Sequence, residues 1–173
     1  MTLDSIVNET IAFVRAHEAW APLIVGVLAF GESFAVISLI IPATIALVGI
    51  GALIGASGIQ FLPCWAAAAL GAALGDWISY WIGLKLKDTA RHTWPLSRYP
   101  AMIERGEQFF LRWGVWSIFI GRFFGPVRAV IPLIAGTFAM PGLPFQIANI
   151  TSAMLWAFVL LAPGFAALRI FQW

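Results

Sequence analysis

Charge is what this chain has least of. Ten Lys and Arg and eight Asp and Glu make up 10% of its 173 residues, where a soluble domain carries about 25%. With 61% hydrophobic residues and a mean hydropathy of +0.92, that scarcity excludes a soluble globular protein. It identifies an integral membrane protein of one membrane domain. A net charge of +2, with no basic stripe interleaved with aromatics, excludes a nucleic-acid partner. Cys64 is the single cysteine, which rules out a disulfide and a thiolate metal site. His17 and His92 stand far apart with no ligand spacing, so neither a metal nor a cofactor is expected. The opening residues carry Asp4 and Glu9 rather than basic side chains, and no cleavable signal peptide is expected.

What is present is long apolar sequence with sparse punctuation. Residues 1–18 are expected to form an amphipathic helix on the membrane surface, with Leu3, Ile6, Val7, Ile11 and Val14 at helical spacing. Residues 20–56 divide at Pro42, and the piece after it is too short to span, so this region reads as re-entrant or broken. Residues 61–84 are long enough for a transmembrane helix, and Ala67, Gly71, Gly75, Ser79 and Gly83 line one face for close helix packing. On the same helix Asp76 and Tyr80 form an i, i+4 pair.

Residues 85–113 hold six of the ten basic residues, which places this loop and its amphipathic helix in the cytoplasm by the positive-inside rule. A second re-entrant region covers 114–139, and a last transmembrane helix covers 145–168, kinked or ended by Pro163-Gly164. Trp20, Trp94, Trp113 and Trp173 lie near polar boundaries and suit an interfacial belt.

Four charges remain inside the apolar regions: Glu32, Asp76, Arg122 and Arg128. Each costs roughly 2.5–3.5 kcal/mol at the centre of a membrane helix, and equal numbers of each sign make mutual pairing the cheapest arrangement. The stretch "GRFFGPVRAVIP" (121–132) adds prolines four residues after each arginine. In a helix, Pro126 and Pro132 would free the carbonyls of Arg122 and Arg128. Freed backbone at membrane depth is tolerated where protein or water lines it, so Gly125, Pro126 and Pro132 predict a helix broken around a polar cavity.

The stretch "GESFAVISLIIP" (31–42) echoes it, with Gly, a charge of opposite sign at Glu32, and Pro42 ten residues on. Broken segments at matching places in two halves point to an inverted repeat with a site between them. A guanidinium offers a planar fork that grips phosphate with two hydrogen bonds, while the acids balance the arginines or carry protons.

At these residues the chain resembles the DedA family of membrane proteins, also called the SNARE-associated or VTT-domain family. The most specific part is "FIGRFFGPVRAVIPLIAG" (119–136), with support from Glu32 and Pro42, "GDWISYWIG" (75–83), "FFLRWG" (109–114), Asn149 and Trp156. The resemblance implies an all-α membrane fold with two opposed re-entrant hairpins. It also implies translocation, by a flippase or scramblase, of a phosphate-bearing lipid such as undecaprenyl phosphate or a phospholipid. Carried over, Arg122 and Arg128 would hold the phosphate and Glu32 would be the coupling carboxylate. Many members carry a second acid after the first-hairpin proline. Here the order is Pro42-Ala43-Thr44, as in a YabI-like branch, and Thr44 offers a headgroup a hydrogen bond but no proton at neutral pH.

Two other readings use the same residues. A carrier of a small soluble anion would also need two arginines, and a non-transporting assembly factor would use the four charges as structural locks. An enzyme is not expected, since neither histidine lies in the apolar core. The lipid reading predicts a cavity that opens sideways beside Arg122 and Arg128, and the assembly reading predicts full pairing with no cavity.

Overall fold

The computed structural model describes residues 18–34, 44–86, 100–124 and 127–170, and every regular element among them is helical. A 3₁₀ turn (Glu18–Trp20) leads into α1 (Ala21–Ser33), followed by α2 (Thr44–Ser57) and α3 (Phe61–Leu86). Then come α4 (Pro100–Trp113), α5 (Val115–Gly121), α6 (Val127–Thr137) and α7 (Gly142–Ile170). Proline opens several of these helices. Pro22, Pro63, Pro100 and Pro144 all fall in a first turn, where a missing N–H removes no intrahelical bond.

Among the described residues two helices are long and apolar enough to cross a membrane, Phe61–Leu86 and Gly142–Ala166. At 26 residues α3 is about 39 Å long, while α2 with 14 residues reaches only about 21 Å. The long helices pack on each other, and each also receives short ones: α1 and α6 on α3, α2 and α5 on α7. Their outer faces carry large apolar side chains in the open, among them Leu62, Leu70, Trp81, Leu143 and Phe158. Such a surface suits lipid rather than water.

The small-residue face of α3 serves two neighbours. A methyl at Gly71 would lie 2.1 Å from the Gly26 carbonyl oxygen of α1, and one at Gly83 would lie 2.1 Å from the Leu133 carbonyl oxygen of α6. Backbone meets backbone at both places, so only glycine fits.

Neither Pro132 nor Pro163 ends its helix. Pro132 lies inside α6 and Pro163 inside α7, and both helices run through them. Each proline removes one i−4 bond, which packing along the rest of the helix can outweigh. Gly164 packs against the backbone of α2, with a methyl there 2.6 Å from the Ala52 nitrogen. Residues 1–17, Pro42, Gly125 and Pro126 lie outside the described residues, as does the side chain of Thr44, whose backbone begins α2.

Candidate functional site

Two apolar clusters fill the interior. One gathers Tyr80, Val130, Ile131, Ile134 and Phe145, and the other Val25, Leu47, Ile54, Ala72, Trp156 and Leu161. Along α3 the clusters claim residues 64–72 and then Tyr80, with Asp76 between them. Along α7 they claim Phe145 and Ala148, then 153–161, with Asn149 and Ser152 between them. The buried polar groups of both long helices therefore share one layer, sandwiched between two apolar cores.

Arg122 follows the last residue of α5 and reaches into that layer, with its side chain 3% exposed. Its Nη2 donates to the Asp76 carboxylate on α3 and to Asn149 Oδ1 on α7 at 2.6 Å. Its Nε donates to Ser152 Oγ at 3.0 Å. The acceptors are themselves fixed: Asn149 Nδ2 donates to the Ala73 carbonyl at 2.9 Å, and Ser152 Oγ to the Asn149 carbonyl at 3.0 Å. One guanidinium thus ties α3, α7 and the end of α5 together. The mutual satisfaction is what permits a full charge at this depth.

Arg128, in the first turn of α6, makes the second pair. Its Nη1 lies 3.4 Å from Glu32 Oε1 at the end of α1, and its Nη2 donates to the Glu32 main-chain carbonyl at 3.0 Å. On its other side the guanidinium carbon lies 4.7 Å from the centre of the Trp156 ring of α7, a cation–π contact. The four intramembrane charges therefore come together as two pairs, Arg122 with Asp76 and Arg128 with Glu32. In each pair an acid from residues 21–86 meets an arginine from residues 115–170.

Tyr80 is not Asp76's partner. Its hydroxyl donates to the Met140 carbonyl at 2.5 Å and its ring stacks on Phe145 with centroids 4.1 Å apart. Ser152 has no site role among the sequence motifs, where Asn149 and Trp156 stand only as marks of family resemblance. The signal was there, since 149, 152 and 156 fall at i, i+3 and i+7 on one face of an apolar helix.

Two apolar grooves run along the outside of the helices. One, of about 560 Å³, lies between α1 and α3 beside Leu23, Val27 and Leu74, and the other, of about 450 Å³, between α5 and α7 beside Trp116, Phe119 and Ile147. Neither groove is lined by Arg122 or Arg128. Among the described residues no group of three or more His, Cys, Asp and Glu is placed to hold a metal ion.

Comparison with known proteins bears on the same residues. The VTT domain matches residues 23–166, which takes in all four charges and the face of α7 behind them. The inner membrane protein YabI of Escherichia coli K12 is 34% identical over 156 residues, covering 90% of this chain and 61% of that protein. An uncharacterised membrane protein of Buchnera aphidicola from Acyrthosiphon pisum is 32% identical over 88% of the chain and 60% of its own length. The inner membrane protein YghB of Escherichia coli is 35% identical over 73% of the chain and 58% of its own length. The chain therefore spans about three-fifths of the length of these curated relatives, and none of their names indicates a catalytic family. No solved structure matches it significantly.

Proposed function

Since the chain belongs to the VTT-domain (DedA) family of inner-membrane proteins, we propose that it moves a phosphate-bearing lipid, such as undecaprenyl phosphate or a phospholipid, across the membrane. The observation that carries this reading is the polar layer. Two guanidiniums lie between two apolar cores, beside two helices of membrane-spanning length, with the acids that neutralise them. Charges held at such depth mark a substrate path or an ion path far more often than a surface. Arginine suits phosphate because its fork donates two parallel bonds and keeps its proton.

In this reading the halves 21–86 and 115–170 are inverted repeats, each with two short helical arms followed by a long helix. The order of elements is consistent with it: α1, a gap, α2 and α3 against α5, a gap, α6 and α7. So is the packing, in which the second arm of each half lies on the long helix of the other, α2 on α7 and α6 on α3. Short arms of this kind would be re-entrant, meeting near mid-membrane where the breaks fall. Arg128 would face the phosphate, Thr44 would add a hydrogen bond, and Glu32 would balance Arg128 while the site is empty, with Arg122 and Asp76 paired beside it. With Thr44 where many relatives place a second acid, movement in either direction without protons fits this chain better than proton-driven transport.

The second reading is a non-transporting assembly factor, and a specific observation favours it: every one of the four charges has a partner of opposite sign. The two readings separate in proteoliposomes. Labelled undecaprenyl phosphate and phosphatidylethanolamine are followed across the bilayer for the wild type, Arg122→Ala, Arg128→Ala and Glu32→Gln, with and without an imposed pH gradient. The transport reading expects movement of at least one lipid by the wild type and its loss in folded Arg128→Ala. Folded wild type that moves neither lipid contradicts it and leaves the soluble-anion and assembly readings.

A further inference from the structure

The two arginine pairs are built to different standards. Around Arg122 four acceptor groups from two helices converge on Nε and Nη2, and each acceptor has another bond or an ionic partner fixing it. An anion entering there would have to break several of these bonds at once. Arg128 is held by less. Among the described residues it has one hydrogen bond, to a main-chain carbonyl, and its approach to the Glu32 carboxylate at 3.4 Å is wider than a charge-assisted hydrogen bond of about 2.8 Å. Its side chain is 10% exposed, against 3% for Arg122.

We infer that Arg122 is a fixed clasp, a positioning residue, and that Arg128 lying on Trp156 is the exchangeable phosphate site, with the Glu32 carboxylate as its resting occupant. The assignment rests on the proposed transport reading only for the phosphate being carried by a lipid. Trp156 supplies what an exchange site requires. Its ring is buried and holds one face of the guanidinium, so the fork keeps its plane when the carboxylate leaves. A donor kept in place beforehand loses less freedom on binding. The main-chain bond to the Glu32 carbonyl anchors the same fork and does not depend on the carboxylate. Phosphate and the Glu32 carboxylate are both anions for one cation, so they compete. A residue with only a structural role would not show that competition.

The test uses the full chain purified in detergent, with two readouts: the dissociation constant for dodecyl phosphate by titration calorimetry, and the melting temperature. Inorganic phosphate is titrated alongside. Arg128→Lys is expected to weaken dodecyl phosphate binding about ten-fold with little change in melting, because the planar fork is lost while the charge stays. Trp156→Phe should weaken binding about three-fold through the poorer cation–π face. Glu32→Gln should tighten it, since the competitor is gone.

Arg122→Lys should lower the melting temperature by more than about 5 °C and leave the dissociation constant of the folded fraction within two-fold. Ser152→Ala asks the same question with a milder change, should Arg122→Lys not fold. Equal weakening by Ser152→Ala and Arg128→Lys overturns the assignment. So does a Glu32→Gln variant that binds more weakly, or a wild type that does not bind dodecyl phosphate. If inorganic phosphate binds as tightly as dodecyl phosphate, with the same variant pattern, the site assignment stands and the lipid reading falls.

Discussion

Residues 21–86 and residues 115–170 run through the same order of elements with different chemistry. The first half spends 13 residues on its opening arm and the second only seven. In the first half the deep charges are both acids, Glu32 and Asp76, and in the second both are arginines. Neither half can neutralise itself. Each ion pair crosses from one to the other, and so does the packing of α2 on α7 and α6 on α3. An isolated half would leave two like charges in hydrocarbon at roughly 2.5–3.5 kcal/mol each. The difference in sign therefore makes docking of the halves obligatory, and their meeting plane is where the charges lie.

The largest effect is expected where the halves touch backbone to backbone. A methyl at Gly136 would sit 2.1 Å from the Tyr80 carbonyl oxygen, and one at Gly83 as close to that of Leu133. Gly83→Val and Gly136→Val should leave no folded protein, read as loss of a monodisperse detergent peak.

Next comes the clasp. Asp76→Ala strands Arg122 and should cost about 3–5 kcal/mol, whereas Asp76→Leu with Arg122→Leu should cost much less, since neither partner is left charged. Denaturant titration of both variants checks this ordering, and equal losses would show that the charges are not coupled. Tyr80→Phe removes a buried hydrogen bond to Met140 and should lose about 1 kcal/mol in the same titration.

The smallest effect runs the other way. After α6 the Met140 nitrogen donates to the Ala135 carbonyl and the Ala139 nitrogen to that of Gly136, a Schellman turn with Ala139 at φ 49°. The first half places Gly58, at φ 77°, directly after α2. Ala139→Gly should give the second half the residue its turn prefers and stabilise it by about 1 kcal/mol, visible as a raised melting temperature.

Much of this could be read from the sequence because membrane helices announce themselves locally. The run from Phe61 and the run after Gly142 are apolar for long enough to need no tertiary information. The glycines of α3 declared a close approach, though not that α1 would take one end of the stripe and α6 the other. The pairing of two acids with two bases followed from cost alone.

Which acid meets which arginine did not, because that depends on the rotation of helices far apart in the chain. Tyr80 illustrates the limit: its spacing suggested Asp76, and the fold turned its hydroxyl to Met140. Pro132 and Pro163 show another. A proline sets a local cost, and whether the helix ends there is decided by what packs beside it. Asn149 and Ser152 were readable as polar positions on one face, but only the fold makes them acceptors for Arg122.

In the proposed function an arginine fork at the junction of the halves handles a lipid phosphate. Its most direct test is the rate at which proteoliposomes holding wild type or Arg128→Lys, at equal folded amounts, move a phosphate-bearing lipid between leaflets. Movement by the wild type is expected, with a loss of about ten-fold in a variant that keeps the charge and loses only the fork. Equal rates for the two proteins would contradict it.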